Sequence, residues 1–133
     1  MALNTKTSIA SVNLGLNAAF DVLNGGFIEF YDGAQPASPD VAVTTQNKLS
    51  KNSLNATAFA AAGSGSKIAN PITNSTALMA GTPTWFRAFK ADDATAVIDG
   101  TAGVAGTNAI LAAASYVAGD VVAVTGWTIS QAQ

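Results

Sequence analysis

The chain has 133 residues, of which only 11% are charged, with a formal net charge of −2. That length suits one domain, and the charge content is less than half the roughly 25% of an ordinary soluble domain. The six bases are scattered and form no phosphate-binding stripe, which argues against nucleic acid as a partner. There is no cysteine, so disulfides and thiolate metal sites are excluded, and no histidine, so the commonest general base and metal ligand are missing.

The apolar share of 49% includes 28 alanines, each of which buries little area. A thin core is expected, with part of the stability drawn from self-association or from a partner. Residues 1–7 read as a flexible polar arm without the basic and apolar blocks of a signal peptide, which implies synthesis in, and initial residence in, a cytoplasm. From Ser8 to Leu23, Ile9, Val12, Leu16, Ala19, Phe20 and Leu23 recur at helical spacing, with Thr7 or Ser8 as cap and Gly25-Gly26 as stop, giving a helix over 8–24. Phe27 to Gly33 is a strand closed by an Asp-Gly turn, and Ala34 to Asp40 is a loop carrying two prolines.

A second strand is expected within Lys48 to Ala61, then a break at Gly63-Ser-Gly-Ser66, then a short edge strand and loop over Lys67 to Met79. Thr84–Lys90 and Thr95–Gly100 flank an acidic turn, Ala91 to Ala94, and predict a hairpin closed by Asp99-Gly100. Thr101 to Asn108 reads as a Gly/Ala loop, and Ala109 to Val117 as a strand or a helical turn. The stretch Ala109 to Ala118 is too short and too polar to span a membrane. After a turn at Ala118 to Asp120, the last strand runs from Val121 to Ile129, with Val121, Ala123, Thr125, Trp127 and Ile129 on one face. Short strands with turn signals at about ten-residue intervals predict a mainly β protein, an antiparallel sandwich or barrel-like fold with one N-terminal helix, residues 8–133 forming a single unit.

Little in this chain suits catalysis. The carboxylates Glu29 and Asp32 sit on a strand and its turn, and Asp92 and Asp93 at a hairpin tip, so turn chemistry and a solvated strand face explain them better than a glycosidase pair. The spacing after Asp92-Asp93 does not match a calcium loop, and Gly63 to Lys67 lacks the ending of a phosphate loop. No cofactor or metal is expected, and the chain reads as a non-enzyme. The aromatics Tyr31, Trp85, Phe86, Phe89 and Trp127 alternate as core residues do, although rings of this kind also stack on sugars or bases. Arg87, the only arginine, is read either as an edge charge packed on aromatics or as an interface contact.

Several blocks carry a resemblance. Phe27-Ile-Glu-Phe-Tyr-Asp-Gly-Ala-Gln-Pro-Ala-Ser38, Thr84-Trp-Phe-Arg87, Ala94 to Gly103 and Gly119-Asp-Val-Val-Ala-Val124 occur in an order and spacing that resembles small virion structural proteins of tailed bacteriophages. The likeness covers about residues 9 to 130, departing at Ala94, where those proteins carry a turn glycine, and in the Asn/Ser/Lys-rich stretch from Gln46 to Asn55. It implies a β-rich virion protein, of the capsid decoration (cement) type, which binds the major capsid protein from outside and associates as a homo-oligomer, a trimer first. The candidate interface residues are Met1, Leu3 and Lys6 of the arm, which orders on a neighbour, with Trp85 and Arg87 of the hairpin and Asp92 and Asp93 at its tip. The rival expectations are a neck, tail or fibre component, or a carbohydrate- or cell-surface-binding module with Trp85, Tyr31 or Trp127 exposed.

Overall fold

The computed structural model describes residues 5–131. The protein is mainly β, with one N-terminal helix, a seven-stranded mixed sheet curved into a half-barrel, and a small two-stranded sheet. Ser8 starts the helix α1 (Ile9–Phe20) by accepting a hydrogen bond from the Ser11 amide at 3.2 Å, and a single 3-10 turn extends it through Asp21–Leu23. Gly25, at φ +68°, ends it in the left-handed region. Gly26 answers a different need, because a Cβ there would stand 2.1 Å from the Phe89 carbonyl oxygen. Val12, Leu16 and Leu23 are buried, whereas Ile9, expected on the same face, is exposed.

The strands are β1 (Phe27–Tyr31), β2 (Lys48–Ser53), β3 (Ser66–Ile68), β4 (Ser75–Thr76), β5 (Trp85–Phe89), β6 (Ala96–Gly103), β7 (Ala109–Leu111), β8 (Val121–Val122) and β9 (Val124–Ser130). The large sheet has the order β2-β1-β5-β6-β7-β9-β3, and β4 pairs β8 in the small one. Every pair is antiparallel except β6 with β7, so the expected all-antiparallel sheet is in fact mixed. The Gly63-Ser-Gly-Ser66 break is a tight hairpin turn with Ser64 and Gly65 both at positive φ.

Four boundaries differ from the sequence reading, each for a local reason. The strand expected over Lys48 to Ala61 stops at Ser53, because the helix takes over the backbone beyond it. Asn24, Asn17 and Asn13 use their Oδ1 atoms to accept from the amides of Ala58, Ala62 and Gly65 at 2.9, 2.9 and 3.0 Å. Asp99-Gly100 does not turn; β6 runs on to Gly103, and Gly100 is needed because a Cβ would lie 2.6 Å from the Phe86 ring. Strand structure in Ala109 to Val117 is confined to Ala109–Leu111. The last strand is broken at Ala123, whose carbonyl accepts from the Ala112 amide, and its faces swap there: Val122 is buried and Val121 exposed, whereas Trp127 and Ile129 are buried.

The small sheet joins β2 at one edge of the large sheet to β9 near the other. Thr73 and Leu78 donate their amides to the Ser53 and Leu49 carbonyls at 3.1 and 2.8 Å, tying this side to β2, while β8 leads through Ala123 into β9. Asn52, fully buried, donates to both the Thr73 and the Val122 carbonyls at 3.0 Å and so clamps β2 to the small sheet from inside. The core is a chain of rings: Phe30 to Phe86 at 6.3 Å, Phe86 to Trp127 at 5.0 Å and Trp127 to Phe59 at 4.8 Å. Such tilted aromatic pairs each add about 0.5–1.5 kcal/mol beyond their burial. They compensate for a core otherwise rich in alanine.

Candidate interaction surface

Three adjacent strands place Glu29, Arg87 and Asp99 side by side, since Glu29 pairs with Arg87 and Arg87 with Asp99 in register. Side chains alternate across a strand, so Tyr31 and Trp85 share this outer face while Ile28, Phe30, Phe86 and Ala88 point to the core. Arg87 grips Asp99 with two hydrogen bonds, Nε to Oδ1 at 2.7 Å and Nη2 to Oδ2 at 2.9 Å, and its guanidinium carbon lies 5.5 Å from the Trp85 ring centroid. The bond to Asp99 raises the Arg87 pKa further above its usual value. Glu29 accepts from the Tyr31 hydroxyl at 2.9 Å and pairs with Lys48 at 2.8 Å, and the Tyr31 ring stacks on Trp85 at 4.6 Å. Burial first, and the neighbouring Glu29 carboxylate second, push the Tyr31 pKa up.

This cluster would be a surface were it not for the loop 32–47, which folds back over it. The Ser38 carbonyl accepts from Arg87 Nη2 at 3.1 Å, the Asp32 carbonyl from Trp85 Nε1 at 3.0 Å, and the Gly33 carbonyl from the Thr84 hydroxyl at 2.6 Å. Asp32 in turn accepts from the Asn47 amide and side chain, which holds its carboxyl below the usual range and closes the loop on itself. Trp85, Arg87, Glu29 and Tyr31 are therefore all buried. Trp85 and Arg87 cannot be partner contacts on the exposed surface, and β5 is a central strand, which also excludes the reading of Arg87 as an edge charge. Trp127 is buried as well, so the three rings named for sugar stacking are core and buttress residues.

The other sequence candidates fall elsewhere. Asp92 and Asp93 are exposed at the β5–β6 turn. Asp92 accepts from the Thr95 hydroxyl and amide and from the Ala94 amide, which hold its pKa down to about 2. Asp93 adopts φ 55° and pairs with Lys51. Lys6 is exposed, and Met1 and Leu3 lie outside the described residues. Among the described residues, no hydrogen bond or ion pair joins Lys6 to Asp92 or Asp93.

Two features escaped the sequence reading. Lys67, 1% exposed on β3, sends its ammonium to Asn17 Oδ1 at 2.7 Å and Asp21 Oδ1 at 2.9 Å, beside a cavity of about 230 Å³. It fastens β3 to the helix and is satisfied there. The second is an exposed apolar end. Segments 77–81 and 116–120 pair through reciprocal amide–carbonyl bonds of 2.9 Å between Gly81 and Tyr116, and through Ala77 N to Asp120 O at 2.8 Å and Gly119 N to Ala77 O at 2.9 Å. They carry Leu78 and Met79, 58% and 41% exposed, and Val117, 59% exposed, with Val121 at 64% on the adjoining β8. Residues 68–86 contain no charge and residues 100–133 only Asp120, whose carboxylate is taken up by the Val117 amide. The signal was present in the sequence as that gap in charge, but nothing in the periodicity showed that the two segments meet.

Among the described residues no three acidic side chains converge as metal ligands, and no helix is long and apolar enough to cross a membrane. Comparison with known proteins finds no matching family model, no matching curated protein and no matching solved structure.

Proposed function

We propose that this chain is a structural protein of a tailed-phage virion that decorates the outside of the capsid and stabilises the head, with the end formed by Leu78, Met79, Val117 and Val121 as its docking surface. The observation that carries the reading is that apolar, charge-free end. Four large apolar side chains left in water on two paired segments and the adjoining strand gain on the order of several kcal/mol when covered, before the cost of association. A partner surface without charge would meet no unpaired ion there, which suits the major capsid protein or a second copy in a trimer. Repetition on a lattice then multiplies a modest contact, because linked contacts raise avidity. Binding the assembled state alone shifts the equilibrium toward the intact head.

The placement of seven of the eight acids supports a non-catalytic role. Glu29, Asp99, Asp93 and Asp21 are committed to cations, and Asp32, Asp92 and Asp120 to backbone amides of their own turns and loops. The burial of Tyr31, Trp85 and Trp127 leaves the carbohydrate-binding reading without the exposed ring it needs.

Counting the chain in purified particles and locating it by cryo-EM tests the proposal. Decoration requires on the order of a hundred or more copies on the outer shell, following the capsid symmetry. About six or twelve copies in a ring at a vertex would instead assign it to the neck or tail.

A further inference from the structure

The helix sets Asn13, Asn17 and Asp21 one turn apart, and this stripe faces residues 62–67. On β3, Ile68 is 61% exposed and Lys67 only 1%, so strand alternation turns the lysine inward against the stripe. Its Nζ donates to Asn17 Oδ1 at 2.7 Å and to Asp21 Oδ1 at 2.9 Å, and lies 6.0 Å from the ring centroid of Phe59, itself buried. The two partners are unequal. The Asp21 side chain is 53% exposed, so an ordinary ion pair could form at the rim, in water. The lysine instead carries its ammonium inward to the Asn17 amide, although burying a charge is costly.

Asn17 Oδ1 accepts a second hydrogen bond, from the Ala62 amide at 2.9 Å. Two donors converging on this atom fix it as the oxygen of the side-chain amide and draw electron density away from Cγ. A C=O bond is about 1.2 Å long, so the lysine nitrogen stands within about 4 Å of Cγ. The amide nitrogen Nδ2 makes neither of these bonds and is available as a leaving group. An amine, a carbonyl polarised by a backbone N–H, and a carboxylate hydrogen-bonded to the amine are the nucleophile, electrophile and base of an acyl transfer.

We propose that Lys67 and Asn17 become joined by an intramolecular isopeptide bond, formed by the folded chain itself. The inference stands apart from the virion reading. Asp21 takes a proton from the Lys67 ammonium across their hydrogen bond, and the freed lone pair on Nζ attacks Asn17 Cγ. The C=O electron pair moves onto Oδ1, where the Ala62 N–H stabilises the negative charge. As that pair returns, the bond from Cγ to Nδ2 breaks, and Asp21 gives its proton to the departing nitrogen. The proton left on the newly bonded Nζ follows by way of Asp21, so ammonium leaves and the carboxylate is restored. The cavity of about 230 Å³ beside Asn17, Asp21 and Lys67 gives it a way out. The product ties the helix to β3, the edge strand of the large sheet. Cross-linking residues 50 apart restricts the unfolded chain as a disulfide does, a device closed to a chain without cysteine.

Intact mass and tryptic mapping of the purified full-length chain test this. The chain is expected to weigh one ammonia less than its sequence requires, and the digest to yield peptide 7–48 joined to peptide 52–87, with no cleavage after Lys67. Lys67→Arg should show the full mass of its own sequence. Asp21→Asn keeps the side chain's size without the base, and should form the bond at least about a hundredfold more slowly when followed from synthesis. A full mass in the unaltered chain overturns the proposal, and that measurement needs no variant to fold. A succinimide at Asn24-Gly25 would also release ammonia, so a mass loss without the joined peptide, or one that persists in Lys67→Arg, overturns it as well. Loss of water in place of ammonia would put the bond on the Asp21 carboxyl and overturn the assignment to Asn17. Bond formation in Asp21→Asn at the unaltered rate would overturn the role of Asp21 as base.

Discussion

The outer face of β1, β5 and β6 and the end built from residues 77–81 and 116–121 reverse the usual placement of polar and apolar groups. The first carries Glu29, Arg87 and Asp99 and is buried beneath the loop 32–47; the second carries Leu78, Met79, Val117 and Val121 and is open to water. The contrast teaches where this small protein spends its few charges. Burying an ion is costly unless it is paired and hydrogen-bonded, and on this face strand register sets Arg87 beside both Glu29 and Asp99. The charges therefore hold a loop onto the sheet, and the surface left without them is free to be apolar. One region holds its loop to the sheet, and the other leaves apolar side chains in water.

The sharpest way to break the comparison is to remove one partner of the buried pair. Arg87→Met leaves the Asp99 carboxylate, with a side chain only 2% exposed, without its cation, and is expected to cost about 3–5 kcal/mol in urea unfolding. Replacing both residues, Arg87→Met with Asp99→Leu, should recover most of that loss, because no uncompensated ion remains. If the double variant is as unstable as the single one, the hydrogen bond from Arg87 to Ser38, and with it the loop, is the larger contribution.

A smaller loss is expected at Asn52, which bridges the two sheets. Asn52→Leu fits the surrounding core in size but removes the donor shared by the Thr73 and Val122 carbonyls, at about 1–3 kcal/mol. The loss should appear as faster amide exchange in β4 and β8 before global unfolding. An unchanged exchange pattern would mean that the small sheet is held by its backbone bonds to β2 alone.

The pH dependence separates the buried face from the exposed hairpin tip. Tyr31 has its folded pKa raised above the ordinary value of 10.0, so the folded state holds that proton more tightly than the unfolded chain does. Stability from this group is complete below about pH 10 and falls as the pH rises further. Tyr31→Phe should flatten the alkaline limb of the stability curve while losing about 1 kcal/mol at neutral pH with the hydrogen bond to Glu29. Asp92 behaves oppositely: its pKa is held down to about 2 from 3.8, so its contribution is present at neutral pH and is lost as the pH falls through that interval. Asp92→Ala should flatten the acid limb only.

Much of the fold was legible because it rests on local signals. Ser8 as cap, Gly25 as stop and the turn chemistry at Gly63–Ser66 and Ala91–Ala94 each act within a few residues, and the structure keeps all four. What was not legible depends on distant partners. The Asn13, Asn17 and Asn24 stripe replaces a strand by binding the backbone of residues 58–65, and Gly100 reads as a turn residue although it is there to admit the Phe86 ring. Arg87 and Trp85 were legible as residues of one hairpin strand, but not the loop that covers them. Nothing within Ala34 to Asp40 reveals that the Ser38 carbonyl reaches a guanidinium 49 residues away.

The smallest effect on folding is expected where the effect on contact should be largest. Leu78→Asp and Val117→Lys change side chains that are already more than half in water, so each should shift stability by no more than about 0.5 kcal/mol. Neither side chain ties this end together, since the bonds that do so run through the backbones of Leu78, Ala77, Gly81 and Tyr116 and survive a change of side chain. A charge at either position must instead be desolvated whenever the end is covered, and an apolar partner surface offers it nothing in return. Self-association by sedimentation and retention on purified particles should both fall by at least about tenfold, the equivalent of about 1.4 kcal/mol. The double variant Leu78→Asp with Val117→Lys sharpens the test. The two new charges are opposite in sign, so the net charge of the chain is unchanged, while a loss of contact due to desolvation should persist. Binding that survives in the double variant would move the contact surface away from this end of the molecule.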